Sequence, residues 1–148
     1  MRLTVDVTLS LPPERLHPLV WAYVGDAVYE LYVRTHLLAR GVLKPGNLQR
    51  AAVAYVSARG QARVVHRLLP LLSEEEAAVL RRGRNAKSGT IPKNARVSEY
   101  RLSTGLESLF GYLYLTGQEG RLRELIAHAL TAMDGDGGPP EPEGSETR

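Results

Sequence analysis

The sequence contains no cysteine, which excludes disulfides, thiolate zinc sites, iron–sulfur clusters and cysteine nucleophiles together and permits a reducing compartment. Any chemistry must come from oxygen and nitrogen. Long apolar runs are also missing: the most hydrophobic stretch is interrupted by Asp26, Glu30 and Arg34, and the N-terminal MRLTVDVTLSLPP alternates. Neither a transmembrane helix nor a signal peptide is expected, no membrane partner is implied, and the expected location is cytoplasmic. The four histidines, His17, His36, His66 and His128, lack the spacing of a metal pair and read as structural or surface residues. There is no Gly-x-Ser-x-Gly elbow, no Gly-rich phosphate loop before a Lys and no His-Glu-x-x-His, so serine hydrolase, nucleotide hydrolase and zinc protease chemistry have no support.

What is present is 148 residues, 43% hydrophobic and 24% charged. That is one packed domain by length and excludes a mostly disordered or fibrous chain. The formal net charge of +3 averages two unlike regions, because Asp134 to Arg148 carry two Asp, three Glu and one Arg, leaving the rest of the chain at +7. A basic body suits a polyanion such as nucleic acid.

Apolar periodicity divides the chain. Leu3, Val5, Val7, Leu9 and Leu11 recur at period two, a short strand or extended arm within residues 1–16. Pro18 to Ala39 reads as a helix that is apolar on nearly every face and closed by Gly41, the pattern of a bundle centre or of half a subunit interface. Limited surrounding material favours a dimer. A second helical region spans Pro45 to about Leu69, with a bend at Gly60. Ser73 and Glu76 form a capping-box pair opening the next helix, and residues 83–97 read as a loop. Helix resumes near Ser98 and runs to Gly117, and a last amphipathic helix covers about Arg121 to Met133. Residues 134–148, rich in Gly, Pro and Glu, are expected to be a disordered acidic tail. The fold class is all-α.

Two features carry chemistry. Asp26 lies inside an apolar helix, where a carboxylate is costly unless paired or metal-bound, and Glu30 follows at a spacing that places it on the same face. Gly25 beside it lets a backbone or ligand approach closely. Glu107 is a second acid in a second apolar helix. If the two helices pack, Asp26 and Glu107, with Glu30 as a third candidate, converge on an oxygen-only site suited to Mg²⁺ or Mn²⁺. The alternatives are a salt bridge from the Asp26–Glu30 face to Arg34 or Arg63 and a solvent-facing Glu107. The other feature is basic: Arg81 to Arg101 hold seven Lys/Arg against the single acid Glu99, interleaved with Asn, Ser, Thr and Gly. Such a segment offers phosphate and sugar contacts, with a solvated loop as the alternative.

The string Tyr23-Val24-Gly25-Asp26-Ala27-Val28-Tyr29-Glu30 with Val33-Arg34, then Arg82-Gly83-Arg84-Asn85-Ala86-Lys87, Pro92-Lys93-Asn94-Ala95, Tyr100-Arg101, Ser103-Thr104 and Glu107-Ser108-Leu109-Phe110-Gly111-Tyr112-Leu113-Tyr114-Leu115, resembles the Mini-ribonuclease III family in order and spacing. The resemblance covers roughly residues 17–130 and implies a ribonuclease III domain over 17–133, all-α and homodimeric, that cuts double-stranded RNA with Mg²⁺. By the motif, Asp26 matches the catalytic aspartate of the signature helix and Glu107 the later metal-binding glutamate. RNA-binding candidates are Arg82, Arg84, Asn85, Lys87, Lys93, Asn94 and Arg101.

Larger ribonuclease III enzymes carry carboxylates where this chain has Ala22 and Thr104, and both departures resemble the Mini subfamily. They also carry a separate RNA-binding domain, so here the catalytic domain is expected to hold RNA itself, by A-form shape and backbone contacts. A symmetric dimer would offer one site per strand. The resemblance further implies precursor 23S ribosomal RNA as substrate, trimmed at both ends. The alternatives are a noncatalytic RNA-binding assembly factor on the same fold, for which Ala22 and Thr104 speak, and a helical interaction protein whose basic loop meets an acidic protein.

Overall fold

Pro18 stands at the first position of helix α1, Pro18–Ala39, where its missing N–H is no loss, and the His17 ring nitrogen accepts the Leu19 amide 3.0 Å away. At the other end Gly41 takes φ 89° and the amides of Gly41 and Val42 return to the carbonyls of Leu38 and Leu37, a Schellman closure. The computed structural model describes residues 8–87, 90–91, 93 and 96–135. The further helices are α2 (Pro45–Val56), α3 (Ala58–Leu68), α4 (Glu74–Asn85), α5 (Val97–Leu115) and α6 (Glu119–Gly135). Short 3₁₀ turns precede α1 at Pro13–Arg15 and follow α3 at Leu69–Leu71. Among the described residues there is no strand, and no helix is long and apolar enough to cross a membrane.

The all-α expectation holds, and most boundaries match. The single helical region expected after Pro45 is two helices: the break falls at Ser57, whose hydroxyl accepts the Gly60 amide and starts α3. Gly60 itself lies inside α3 because a Cβ there would strike the Ala54 carbonyl, so it is the close contact at the elbow. The Ser73–Glu76 capping box forms as expected, and Glu76 also receives two bonds from Arg121 at 2.8 and 2.9 Å, which ties α6 to the start of α4. Helix α4 continues to Asn85, into the stretch expected to be loop. The period-two arm lies mostly outside the described residues; Thr8 to Pro12 carry no strand.

Helix α5 runs through the middle and packs on α1, α3, α4 and α6. Leu106, Leu109, Phe110 and Leu113 are wholly buried against Trp21, Tyr29 and Val33 of α1, Val64, Val65 and Leu68 of α3, and Leu122, Leu125 and Ile126 of α6. This apolar burial, at about 25 cal/mol per Å², is the main term holding the helices together. Helix α6 is fastened at its far end as well. Asp134, assigned to the tail from sequence, belongs to the helix: its carboxylate accepts from the Tyr55 hydroxyl at 2.6 Å and from Arg40 at 3.0 Å, and lies 3.1 Å from His36 Nε2. A charged group with three partners at a helix junction is built structure, which composition alone could not show.

Candidate active site

The site is made where two helices cross with backbone against backbone. Where α1 meets α5, a Cβ on Gly25 would run into the Glu107 carbonyl, and one on Gly111 into the Trp21 carbonyl. Only a glycine at both positions lets the backbones touch, a closer approach than the usual 8–10 Å helix spacing. Asp26 follows Gly25 directly, and Glu107 supplies the backbone that Gly25 touches. Asp26 is thereby near enough for its charge to act on Glu107, although the two are 81 positions apart in the sequence.

Their environments differ. Asp26 is exposed, whereas Glu107 is largely withdrawn from solvent, and its carboxyl is pushed up to about 7, first by burial and then by the negative charge of Asp26, with a smaller contribution from Glu30. One opposing influence is a hydrogen bond donated by Gln61 Nε2 to Glu107 Oε1 at 3.1 Å. Glu30 bonds to Arg34, 3.4 Å away, the alternative weighed for this face; Arg63 lies elsewhere, on the groove described below. Among the described residues no set of three His, Asp or Glu groups is arranged to hold a metal. The structure thus brings Asp26 and Glu107 together and places Glu30 near them, paired with Arg34. Two like charges drawn together by the backbone, one of them in a low-dielectric setting, fit a hard divalent cation that takes one or two carboxylates and fills its other positions with water and phosphate oxygens.

Ala22 is buried, and the Thr104 hydroxyl donates to the Tyr100 carbonyl at 3.1 Å. Neither adds a carboxylate to the pair. Of the basic segment, Arg82, Asn85, Lys87, Lys93 and Arg101 are exposed, and Arg84 is half-buried with its Nε donating to Asn85 at 3.3 Å. The Arg82 guanidinium lies 4.9 Å from the centroid of the Trp21 ring, so it is held against α1. Asn94 lies outside the described residues.

Sequence reading missed a groove. Between α3 and the first half of α5 runs an open cleft of about 1110 Å³ with Glu107 in its wall and Arg59, Arg63, His66 and Arg96 around it, against one further acid, Glu99. Arg59 and Arg63 lie four apart on one helix face, a signal that was available, but nothing in the sequence said that this face would border Glu107. Gln61, buried between them, was invisible for the same reason.

The ribonuclease III domain family matches residues 19–118. The Mini-ribonuclease 3 of Brevibacillus brevis is 48% identical over 128 residues, covering 86% of this chain and 96% of the relative. That of Enterococcus faecalis is 52% identical over 115 residues, covering 76% and 87%. This chain belongs to the Mini-ribonuclease 3 branch of the ribonuclease III family. It is therefore an endoribonuclease, and the noncatalytic and protein-binding alternatives give way. A solved structure from Fusobacterium nucleatum is similar in fold, with a TM-score of 0.73 at 28% identity over 82% of this chain and 98% of its own.

Proposed function

We propose that this endoribonuclease cleaves double-stranded RNA as a homodimer, with Asp26 and Glu107 as its catalytic carboxylates and Mg²⁺, replaceable by Mn²⁺, as its cofactor. The observation that carries this reading is Glu107 itself: an acid withdrawn from solvent beside the charge of Asp26, at the edge of a basic groove. Asp26 from α1 and Glu107 from α5 would hold the cation, with Glu30 adding charge nearby. When bound, the cation supplies Lewis-acid chemistry, neutralising charge at a phosphodiester and acidifying water.

The remaining work falls to the chain. Burial of Glu107 keeps bulk water from one side of the pair, and the glycine crossing fixes the separation of the two carboxylates. Arg59, Arg63 and Arg96 face the groove and suit the phosphates of a strand running toward Glu107. Arg82, Arg84 and Asn85 of α4, Lys87 and Lys93 beyond it and Arg101 of α5 are further candidates for the backbone of the duplex, with Asn94 a candidate from the sequence alone. Contacts of this kind read A-form shape and backbone instead of sequence. Precursor 23S ribosomal RNA, trimmed at its 5′ and 3′ ends, is the substrate that the family resemblance supplies.

The dimer is supported by α1. Val20, Tyr23, Leu31 and Leu38 follow one another along its outer face, and Tyr23 is 83% exposed three residues before Asp26. An apolar hollow lined by Tyr23, Ala27, Leu31 and Tyr114 reaches Asp26 and Glu30. A second copy covering this face would bring two sites close together.

The test is cleavage of a long RNA duplex with and without Mg²⁺, using wild type and the Asp26→Asn and Glu107→Gln variants. Wild type should cut only with the cation. Each variant should bind duplex normally and cut about a thousandfold more slowly, the equivalent of about 4 kcal/mol of lost transition-state stabilisation. A folded wild type that binds duplex but never cuts it with Mg²⁺ or Mn²⁺ would sink the proposal.

A further inference from the structure

Gln61 is the point at which α3 touches the reactive carboxylate. Its side chain is 2% exposed, and its Nε2 donates both hydrogens: one to the Val56 carbonyl at 3.0 Å, the other to Glu107 Oε1 at 3.1 Å. A backbone carbonyl can only accept, so the amide can face Val56 only through nitrogen. Flipping it would set oxygen against oxygen on both sides. The orientation is thereby determined, and it leaves Gln61 Oε1 buried without a hydrogen-bond partner. A leucine or methionine of similar volume would remove this orphaned acceptor but would take the donor from the Val56 carbonyl at the end of α2. The amide serves two acceptors at once, the carbonyl that ends α2 and the carboxylate of Glu107.

We propose that Gln61 is a positioning residue: clamped by Val56, its amide pins Glu107 Oε1 and leaves Oε2 as the oxygen used in the reaction. Helix α3 thereby takes part in the site, although neither of the paired acids lies on it. The proposal rests on the reading of Glu107 as a catalytic carboxylate, and the experiment separates the two.

Gln61→Leu and Gln61→Met are compared with wild type for melting temperature, duplex affinity without divalent cation, and kcat and KM for duplex cleavage with Mg²⁺. Crystal structures then show where the Glu107 carboxylate lies. Melting temperature should fall by no more than about 6 °C, for the lost bond to Val56, affinity and KM should change less than about twofold, and kcat should fall about 10- to 100-fold, the range for groups that orient metal-binding ligands. The Glu107 carboxylate should leave its wild-type position. In a Glu107→Gln background, Gln61→Leu should slow the residual cleavage no further, because it acts through Glu107. A kcat within about twofold of wild type, an unmoved Glu107, or failure of both variants to fold would each overturn the assignment. If wild type cuts no duplex, the catalytic reading of Glu107 fails by itself, while the position of Glu107 in the variant crystals still decides what Gln61 does.

Discussion

Glu107 carries opposed demands in one side chain. Its carboxyl titrates near 7 where a free glutamate titrates near 4.5, because burial and Asp26 both disfavour its charge. Between those two values the folded chain binds more protons than the unfolded one, so the contribution of Glu107 to stability is whole below about pH 4.5 and is lost as pH rises through about 7. In EDTA, wild type should therefore melt higher at pH 5 than at pH 8, and Glu107→Gln should remove that part of the slope. Mg²⁺ should restore melting temperature at pH 8 in wild type and not in the variant, because a cation between the acids relieves the same repulsion. Thermal melts at the two pH values check both statements, and equal slopes for wild type and variant would refute the first. Tyr29 and Tyr55, buried and hydrogen-bonded, are core residues, whereas Tyr23, on the same helix as Tyr29, faces outward. Helical period separates these faces only once it is known what packs on α1.

At the scale of elements, two glycine contacts decide whether there is a site. Gly25→Ala or Gly111→Ala places a methyl group inside a carbonyl of the opposing helix. The only relief is separation of α1 from α5, which should cost at least about 3 kcal/mol. Melting temperature should fall by about 6–12 °C for a chain of this size, and cleavage should fall further than folding does, because the distance between Asp26 and Glu107 changes too. Gly25 was read from sequence as a place for close approach; that Gly111 answers it was not legible, since the pairing spans two helices far apart in the chain. At the other end, Asp134 joins α6 to α1 and α2 through His36, Arg40 and Tyr55. Asp134→Ala strands a buried tyrosine hydroxyl and should destabilise the chain by about 1–3 kcal/mol, measured by urea unfolding. A truncation meant to remove only the acidic segment should accordingly start after Gly135. Cut there, the chain should keep its stability.

At the scale of the whole molecule, the outer face of α1 is an apolar surface that the described residues leave uncovered. Val20, Tyr23, Leu31 and Leu38 are each more than 40% exposed on the helix that also bears Asp26. Leu31→Glu should convert a dimer to a monomer in sedimentation equilibrium and reduce cleavage, with little change in helix content, since Leu31 faces away from the core. A wild type that sediments as a monomer at high concentration would remove the dimer from the proposal. Charge acts at this scale as well. The Arg81–Arg101 segment was visible as a basic run, but the arginines of α3 join it only because α3 lies against the start of α5.

Local chemistry determined the elements: Pro18, the Ser73–Glu76 box, Gly41 and Gly117 set helix ends within a few residues of where they stand, because caps and φ preferences act over single turns. The sequence motifs also named Asp26 and Glu107 and led to the family. Tertiary structure alone decided that Gly25 meets Glu107 and Gly111, that Glu30 turns to Arg34, that Gln61 reaches Glu107 and that Asp134 ties α6 to α1 and α2. Each of these joins residues on different turns or different helices, and such contacts depend on where helices cross, which no local periodicity encodes.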